Sequence, residues 1–216
     1  MNLEEARTQM LGQQIRAWEV LDDRVLEALG TIPRESFVPE SQQALAFADL
    51  EISLAHGQRM MTPKVEGRLL QALALDPNDS VLEIGTGNGF LTACLARLAG
   101  TVESVDIFED FSEEARSKVG QLEISNVSFK TLDALQMGQQ KKFDAIAVTG
   151  SLPEQDDFFV NMLRPGGRLF VVVGREPVME AQLVTMHESG EIERASLFES
   201  VLMPLINAER PEPFVL

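Results

Sequence analysis

Cysteine is nearly absent from this chain. Cys94 stands alone among 216 residues, so no internal disulfide can form, and a reducing cytoplasm is the expected setting. Its neighbours in "FLTACLARL" make it a core-facing helix residue. Histidine is scarce too: His56 and His187 are the only two, and with one cysteine they make a transition-metal site improbable, so no metal is expected. No apolar run approaches the roughly 20 residues that cross a bilayer, and "MNLEEARTQM" lacks the basic-then-apolar pattern of a secretory signal. Basic residues are outnumbered, 18 against 34 acidic, for a net charge of -16. Such a surplus repels phosphate backbones, which disfavours nucleic-acid substrates, and it suits a soluble protein. Repeats, low-complexity tracts and flexible linkers are also missing.

What is present alternates. Leu3, Ala6, Met10, Leu11, Ile15 and Trp18 recur at helical spacing and predict an amphipathic helix. A second helix is expected from an Asp22 N-cap, with Val25, Leu26 and Leu29 on one face, until Pro33 stops it. From Ser80 onward, "SVLEI", "TVESVDI", "NVSFKTL", "FDAIAVT" and "GRLFVVVG" read as strands. Helical stretches are expected between them around Leu91 to Leu98, Phe111 to Leu122 and Phe158 to Leu163. "AQLVTMHES" and "IERASLFESVLMPL", joined by "SGE", read as antiparallel strands. The expected fold class is α/β, a doubly wound, mostly parallel sheet with an antiparallel C-terminal edge and an N-terminal helical cap. Residues 1–62 form the cap and 63–216 the α/β domain, in one compact unit. The tail "NAERPEPFVL" is expected to dock on the sheet.

"VLEIGTGNGF" carries the chemistry. A buried strand runs into Gly85, Gly87 and Gly89 and then a helix, a pattern that permits close backbone approach and offers free amides to an anionic group. Phe90 occupies the position where a nicotinamide or flavin site prefers a small residue. Asp106 ends the next strand, where a carboxylate can accept bonds from both hydroxyls of a ribose.

With Glu83 ahead of the turn, the stretch resembles motif I of class I S-adenosylmethionine-dependent methyltransferases, in which the acid is associated with the amino end of the bound methionine. That resemblance implies S-adenosyl-L-methionine as cofactor, held by Glu83, Gly85, Thr86, Gly87, Asn88, Asp106 and Ile107, with Asp133 and Ala134 at the adenine. Over nearly its whole length the chain is similar to the bacterial protein-L-isoaspartate O-methyltransferase family. "RVLEALGTIPRESFVPE", "AFAD", "GQRMMTP", "FDAIAVTG" and "ESVLMPL" carry this likeness alongside the glycine loop.

The resemblance implies methyl transfer to the α-carboxylate of L-isoaspartyl residues in a peptide or protein. A carboxylate is already nucleophilic at neutral pH, so alignment matters more than a strong general base. In the family the Gly-Gln loop usually continues Thr-x-Ser-x-Pro, with both hydroxyls near the acceptor. Here those positions hold Arg59 and Met61. Either Arg59 pairs with the acceptor carboxylate and Thr62 supplies a hydroxyl, or Arg59 is a solvated loop residue and Met60 and Met61 pack under the cap. His56 beside them is expected to be a structural hydrogen-bonder. Two other readings remain open: a methyltransferase on another acceptor, and a non-catalytic protein that binds S-adenosylmethionine or partners through the same fold.

Overall fold

In a computed structural model, which describes residues 2–208, the chain begins with helical turns of three pitches. Helix α1 (Leu3–Gln9) starts where Asn2 accepts from the Glu4 amide at 3.1 Å. A π-helical stretch, Met10–Ile15, and a 3₁₀ turn, Arg16–Trp18, follow. The single α-helix expected over this span is therefore corrected. The wider π turn puts Met10 and Ile15, five residues apart, on one face, and both are completely buried. Helix α2 (Asp23–Thr31) starts at Asp22, whose side chain accepts from the Arg24 amide at 2.8 Å, and buries Val25, Leu26 and Leu29 as the spacing requires.

A short antiparallel ribbon, β1 (Ile52–Ser53) with β2 (Arg59–Met60), leads into helix α3 (Pro63–Leu73), where Pro63 occupies the first turn. The sheet then alternates with helices: β3 (Ser80–Ile84), α4 (Phe90–Leu98), β4 (Thr101–Asp106), α5 (Glu109–Gln121), β5 (Val127–Thr131) and β6 (Phe143–Leu152). Strands β7 (Leu163–Arg175), β8 (Val178–Met186) and β9 (Ile192–Glu199) complete it. The order is β5-β4-β3-β6-β7-β8-β9 in a sheet of seven strands. Pairs from β5 to β7 are parallel, and β8 and β9 add antiparallel. The chain runs one way from β3 through β4 to β5, then returns to β6 on the other side. That reversal opens a crevice at the carboxyl ends of β3 and β6.

Two further expectations change. The β6–β7 crossover carries only a 3₁₀ turn, Val160–Met162, where a helix over Phe158 to Leu163 is expected; the Asp156 side chain takes the Phe158 amide, and the one helical bond that follows, from the Asn161 amide to the Asp157 carbonyl, is not continued. Residues 164–167 form an irregularity inside β7, with Gly166 at φ +78°. The last strand ends at Glu199, and "VLMPL" instead forms a parallel bridge, Ser151 with Pro204. The tail is described only to Ala208, so the docking of its remainder lies outside the described residues.

Cap and sheet share a core. Met10, Ile15, Val20, Leu29 and Phe37 belong to one buried cluster with Val81, Phe90, Leu95 and Phe170. Phe90 meets Phe37 edge-on at 5.7 Å. The position that would be small in a dinucleotide site is thus filled by a ring that the cap covers.

Candidate functional site

The glycine turn is built from below. Thr149, near the end of β6, places its hydroxyl 2.9 Å from the carbonyl oxygens of both Ile84 and Gly85. Gly85 has φ +92°, and a Cβ there would lie 2.2 Å from that hydroxyl, so only glycine fits. Asn88 accepts from the Phe90 amide at 3.1 Å and donates to Met60 Sδ at 2.8 Å, tying the turn to the β1–β2 ribbon. Thr86 and Ser104 hydroxyls meet at 2.6 Å.

Glu83 departs from expectation. It sits beneath the turn and lines no part of the cleft; its Oε2 accepts from Thr92 at 2.5 Å and Ser104 at 2.6 Å. The pleat of β3 directs this side chain toward α4 and β4, where it supports the turn from below. Burial pushes its carboxyl up to about 8, against the two hydroxyl donors that pull it down.

Above the turn opens a cleft of about 100 Å³. Gly85, Gly87, Asp106, Ile107, Asp133 and Ala134 form one side, and Glu51, Leu54, Gln58, Arg59 and Met61 face them. Asp106 Oδ2 accepts from the Gly87 amide at 2.9 Å, and Oδ1 accepts from Phe108 at 3.0 Å. Burial raises the Asp106 carboxyl above the usual range, opposed by those amides. Asp133 accepts from the Leu135 amide at 3.0 Å and from Asn207 at 2.9 Å, which fixes it at the rim. An inner recess of about 50 Å³ continues past Gly85, Gly87 and Met61 to Met60, Glu66, Thr86 and Asn88.

On the facing loop, Arg59 donates to Glu51 at 2.9 Å and stays half-exposed. Met60 and Met61 are both buried, matching the packed alternative for the two methionines. Thr62 lies outside both cavities at the start of α3, with a buried hydroxyl that has no partner among the described residues. It does not present a hydroxyl to the cleft. His56 stacks on Phe108 at 3.9 Å and sits 2.8 Å from Asp110, which it holds below the usual carboxylate range.

Several lining residues are not singled out by the sequence. Thr149 had a usable signal, since the expected strand "FDAIAVT" beside the glycine strand ends on it. Phe108 follows Asp106 by two residues and was equally accessible. Glu51 and the wall 202–206 had none: that wall exists because Ser151 grips the segment through Leu202 and Met203 carbonyls at 3.0 and 2.9 Å.

A mostly parallel seven-stranded sheet whose reversal point carries a glycine turn and two strand-end acids is the architecture of a class I methyltransferase. Within that class the chain belongs to the protein-L-isoaspartate(D-aspartate) O-methyltransferase (PCMT) family, whose model matches residues 5–210. It is 33% identical over 208 residues to a protein-L-isoaspartate O-methyltransferase of Koribacter versatilis, covering 96% of this chain and 93% of that one. A Cronobacter sakazakii protein of the same name is 39% identical over 171 residues, covering 79% and 82%. A Plasmodium falciparum structure described as a family member, solved with S-adenosyl-L-homocysteine, superposes with a TM-score of 0.80 at 19% identity, covering 95% and 98%.

Proposed function

We propose that the chain methylates the α-carboxylate of L-isoaspartyl residues in peptides or proteins with S-adenosyl-L-methionine as donor. The observation that carries this is the juxtaposition of the Gly85–Asp106–Asp133 wall with the Arg59–Met61 loop across one cleft. The residues present fit the cofactor. Gly85 keeps the floor flush where a Cβ would collide with Thr149. Asp106 and Asp133 keep lone pairs for ribose hydroxyls and an adenine amino group, while Ile107 and Ala134 offer apolar surface to a purine. Thr86 and Asn88 brace the turn, and Glu83 supports it from beneath.

The cofactor supplies an electrophilic sulfonium methyl when bound. The chain's task is then alignment and exclusion of water. Arg59 holds the acceptor carboxylate through its guanidinium fork, with Glu51 as counter-charge when the site is empty of acceptor. Met61 provides apolar surface beside the reacting atoms. The acceptor oxygen needs no base, because it is ionised at neutral pH.

A second reading, transfer to a different acceptor, is favoured by one observation: neither Met61 nor Thr62 presents a hydroxyl to the cleft. Labelled S-adenosylmethionine, offered with an isoaspartyl peptide and its aspartyl twin, separates the two, with cofactor affinity measured alongside by calorimetry. Label in the isoaspartyl peptide alone supports the first reading, and Arg59→Ala then raises KM about ten- to a hundredfold, the scale of a lost charged hydrogen bond. Cofactor binding without transfer, restored by Arg59→Thr with Met61→Ser, supports the second. Absence of cofactor binding rejects both.

A further inference from the structure

Arg34 is among the largest side chains that this fold buries completely, and it lies outside the cleft. Its guanidinium is used in several directions. Nε donates to the Ala46 carbonyl at 2.8 Å, one terminal nitrogen donates to the Met61 carbonyl at 2.9 Å, and the other meets the Glu66 carboxylate. Its flat face lies over the Phe90 ring, 4.7 Å from the centroid. Met61 belongs to the loop on the acceptor side of the cleft, and Phe90 is the first residue of α4, directly after the glycine turn. One planar group therefore touches both the acceptor loop and the segment that closes the cofactor floor.

A buried ion pair is a poor means of stabilising a fold, since apolar side chains of similar volume often do as well or better. What it offers is direction: a guanidinium presents donors at fixed angles, and a lysine presents one point charge. We propose that Arg34 is a positioning residue for methyl transfer, its fork setting the Met61 carbonyl, and with it the acceptor loop, at a fixed height over the glycine turn, while Glu66 orients the fork. This rests on the cleft being the site of transfer. The geometry matters because a displacement of about 1 Å at a reacting pair costs on the order of a hundredfold in rate.

Two variants test it: Arg34→Lys, which keeps the charge opposite Glu66 and loses the fork, and Arg34→Met with Glu66→Met, which removes the pair without leaving an unpaired charge. Each is read by S-adenosylhomocysteine affinity, by kcat and KM with an isoaspartyl peptide, and by the rate of tryptic cleavage after Arg59, which lies in the loop. Both variants are expected to melt cooperatively, and Arg34→Lys, which leaves Glu66 in place along the recess, is expected to bind S-adenosylhomocysteine within about twofold of wild type. KM for the peptide rises about tenfold, the scale of one misplaced contact, and cleavage after Arg59 accelerates by a similar factor. Wild-type kinetics in either folded variant overturns the proposal. So does a fall in the cofactor affinity of Arg34→Lys as steep as that in its kcat/KM, or loss of the cooperative melt in both variants, because Arg34 would then serve the fold as a whole. If the wild-type protein transfers no methyl to the isoaspartyl peptide, the acceptor reading fails by itself; the protease readout then decides for Arg34, with faster cleavage supporting the proposal and unchanged cleavage rejecting it.

Discussion

Asp106 and Glu83 are neighbours in the site with opposite tasks. Asp106 faces the cleft and is held by the Gly87 and Phe108 amides, leaving lone pairs free for a ligand. Asp106→Asn keeps one carbonyl acceptor and exchanges the other for a donor. Affinity for S-adenosylhomocysteine should then fall about ten- to a hundredfold, the scale of a hydrogen bond to a charged group, and calorimetry that finds it unchanged would remove Asp106 from the ribose. Glu83 never reaches the cleft, and its signature is in stability. Burial pushes its carboxyl up to about 8 in the folded chain, against an ordinary value of 4.5. Between those values the folded state holds a proton that the unfolded state has lost, so stability is greatest below pH 4.5 and declines as pH rises toward 8, by at most about 1.4 kcal/mol per unit. Glu83→Gln removes that decline while the parallel effect of Glu66, pushed up to about 7 by burial against the pull of Arg34, remains in both proteins. The gap in melting temperature, variant minus wild type, should widen from pH 5 to pH 8. A constant gap would mean that Glu83 is ionised throughout.

Among the elements, the glycines of two helices separate local preference from packing. Gly120, in the last turn of α5, is exposed, and a Cβ there meets nothing within 4 Å. Gly120→Ala should therefore stabilise the protein by about 0.4–1 kcal/mol, mostly by restricting the unfolded chain, and a denaturant midpoint at or below wild type would show that the helix end is frayed. Gly89, which opens α4 at φ +86°, has no such freedom, since a Cβ would sit 2.7 Å from that of Ala115. The elements legible in the sequence were those whose burial and period agree. The strands from Val81 and Val102 are buried along nearly their whole length, and α2 has a side-chain cap, a clear apolar face and a following proline. Those that misled were decided by competition. Leu3 to Trp18 has helical spacing, but burying Met10 with Ile15 needs a wider turn than the α-helix supplies. Phe158 and Phe159 look like one helical face, while the Asp156 side chain takes the Phe158 amide and only a 3₁₀ turn follows. "VLMPL" reads as strand, yet its carbonyls are taken by Ser151, which turns it into the wall of the cleft.

On the scale of the whole molecule, the glycine-turn wall of the cleft was readable from the order of the strands, while the facing Arg59–Met61 loop was readable only through its likeness to a family loop, for one physical reason. Gly85, Gly87, Asp106 and Asp133 sit within or just past successive strand ends, so chain order and sheet order place them together. Glu51, Arg59 and Met61 reach the cleft only because a cap of turns is anchored across the sheet by contacts such as Arg34 to Met61 and Phe37 to Phe90, pairings that periodicity does not encode. The same anchoring argues that residues 1–62 cannot be detached. Met10, Ile15, Leu29, Phe37 and Ile52 are almost completely buried in a cluster continuous with Phe90, Leu95 and Phe170. Removing them would expose the partner faces of α3 and α4 at about 25 cal/mol per Å² of apolar surface, and a domain whose total stability is about 5–15 kcal/mol has no reserve for a loss on that scale. A chain of residues 63–216 should therefore show no cooperative thermal transition by circular dichroism and no calorimetric binding of S-adenosylhomocysteine. Adding residues 1–62 as a separate peptide should restore neither fully, because the two pieces pay an association entropy that the covalent chain avoids. A cooperative melt in the isolated 63–216 chain, with cofactor affinity near that of the full protein, would show instead that the cap is a separable cover and that the glycine turn holds its shape without Phe37 and Arg34 above it.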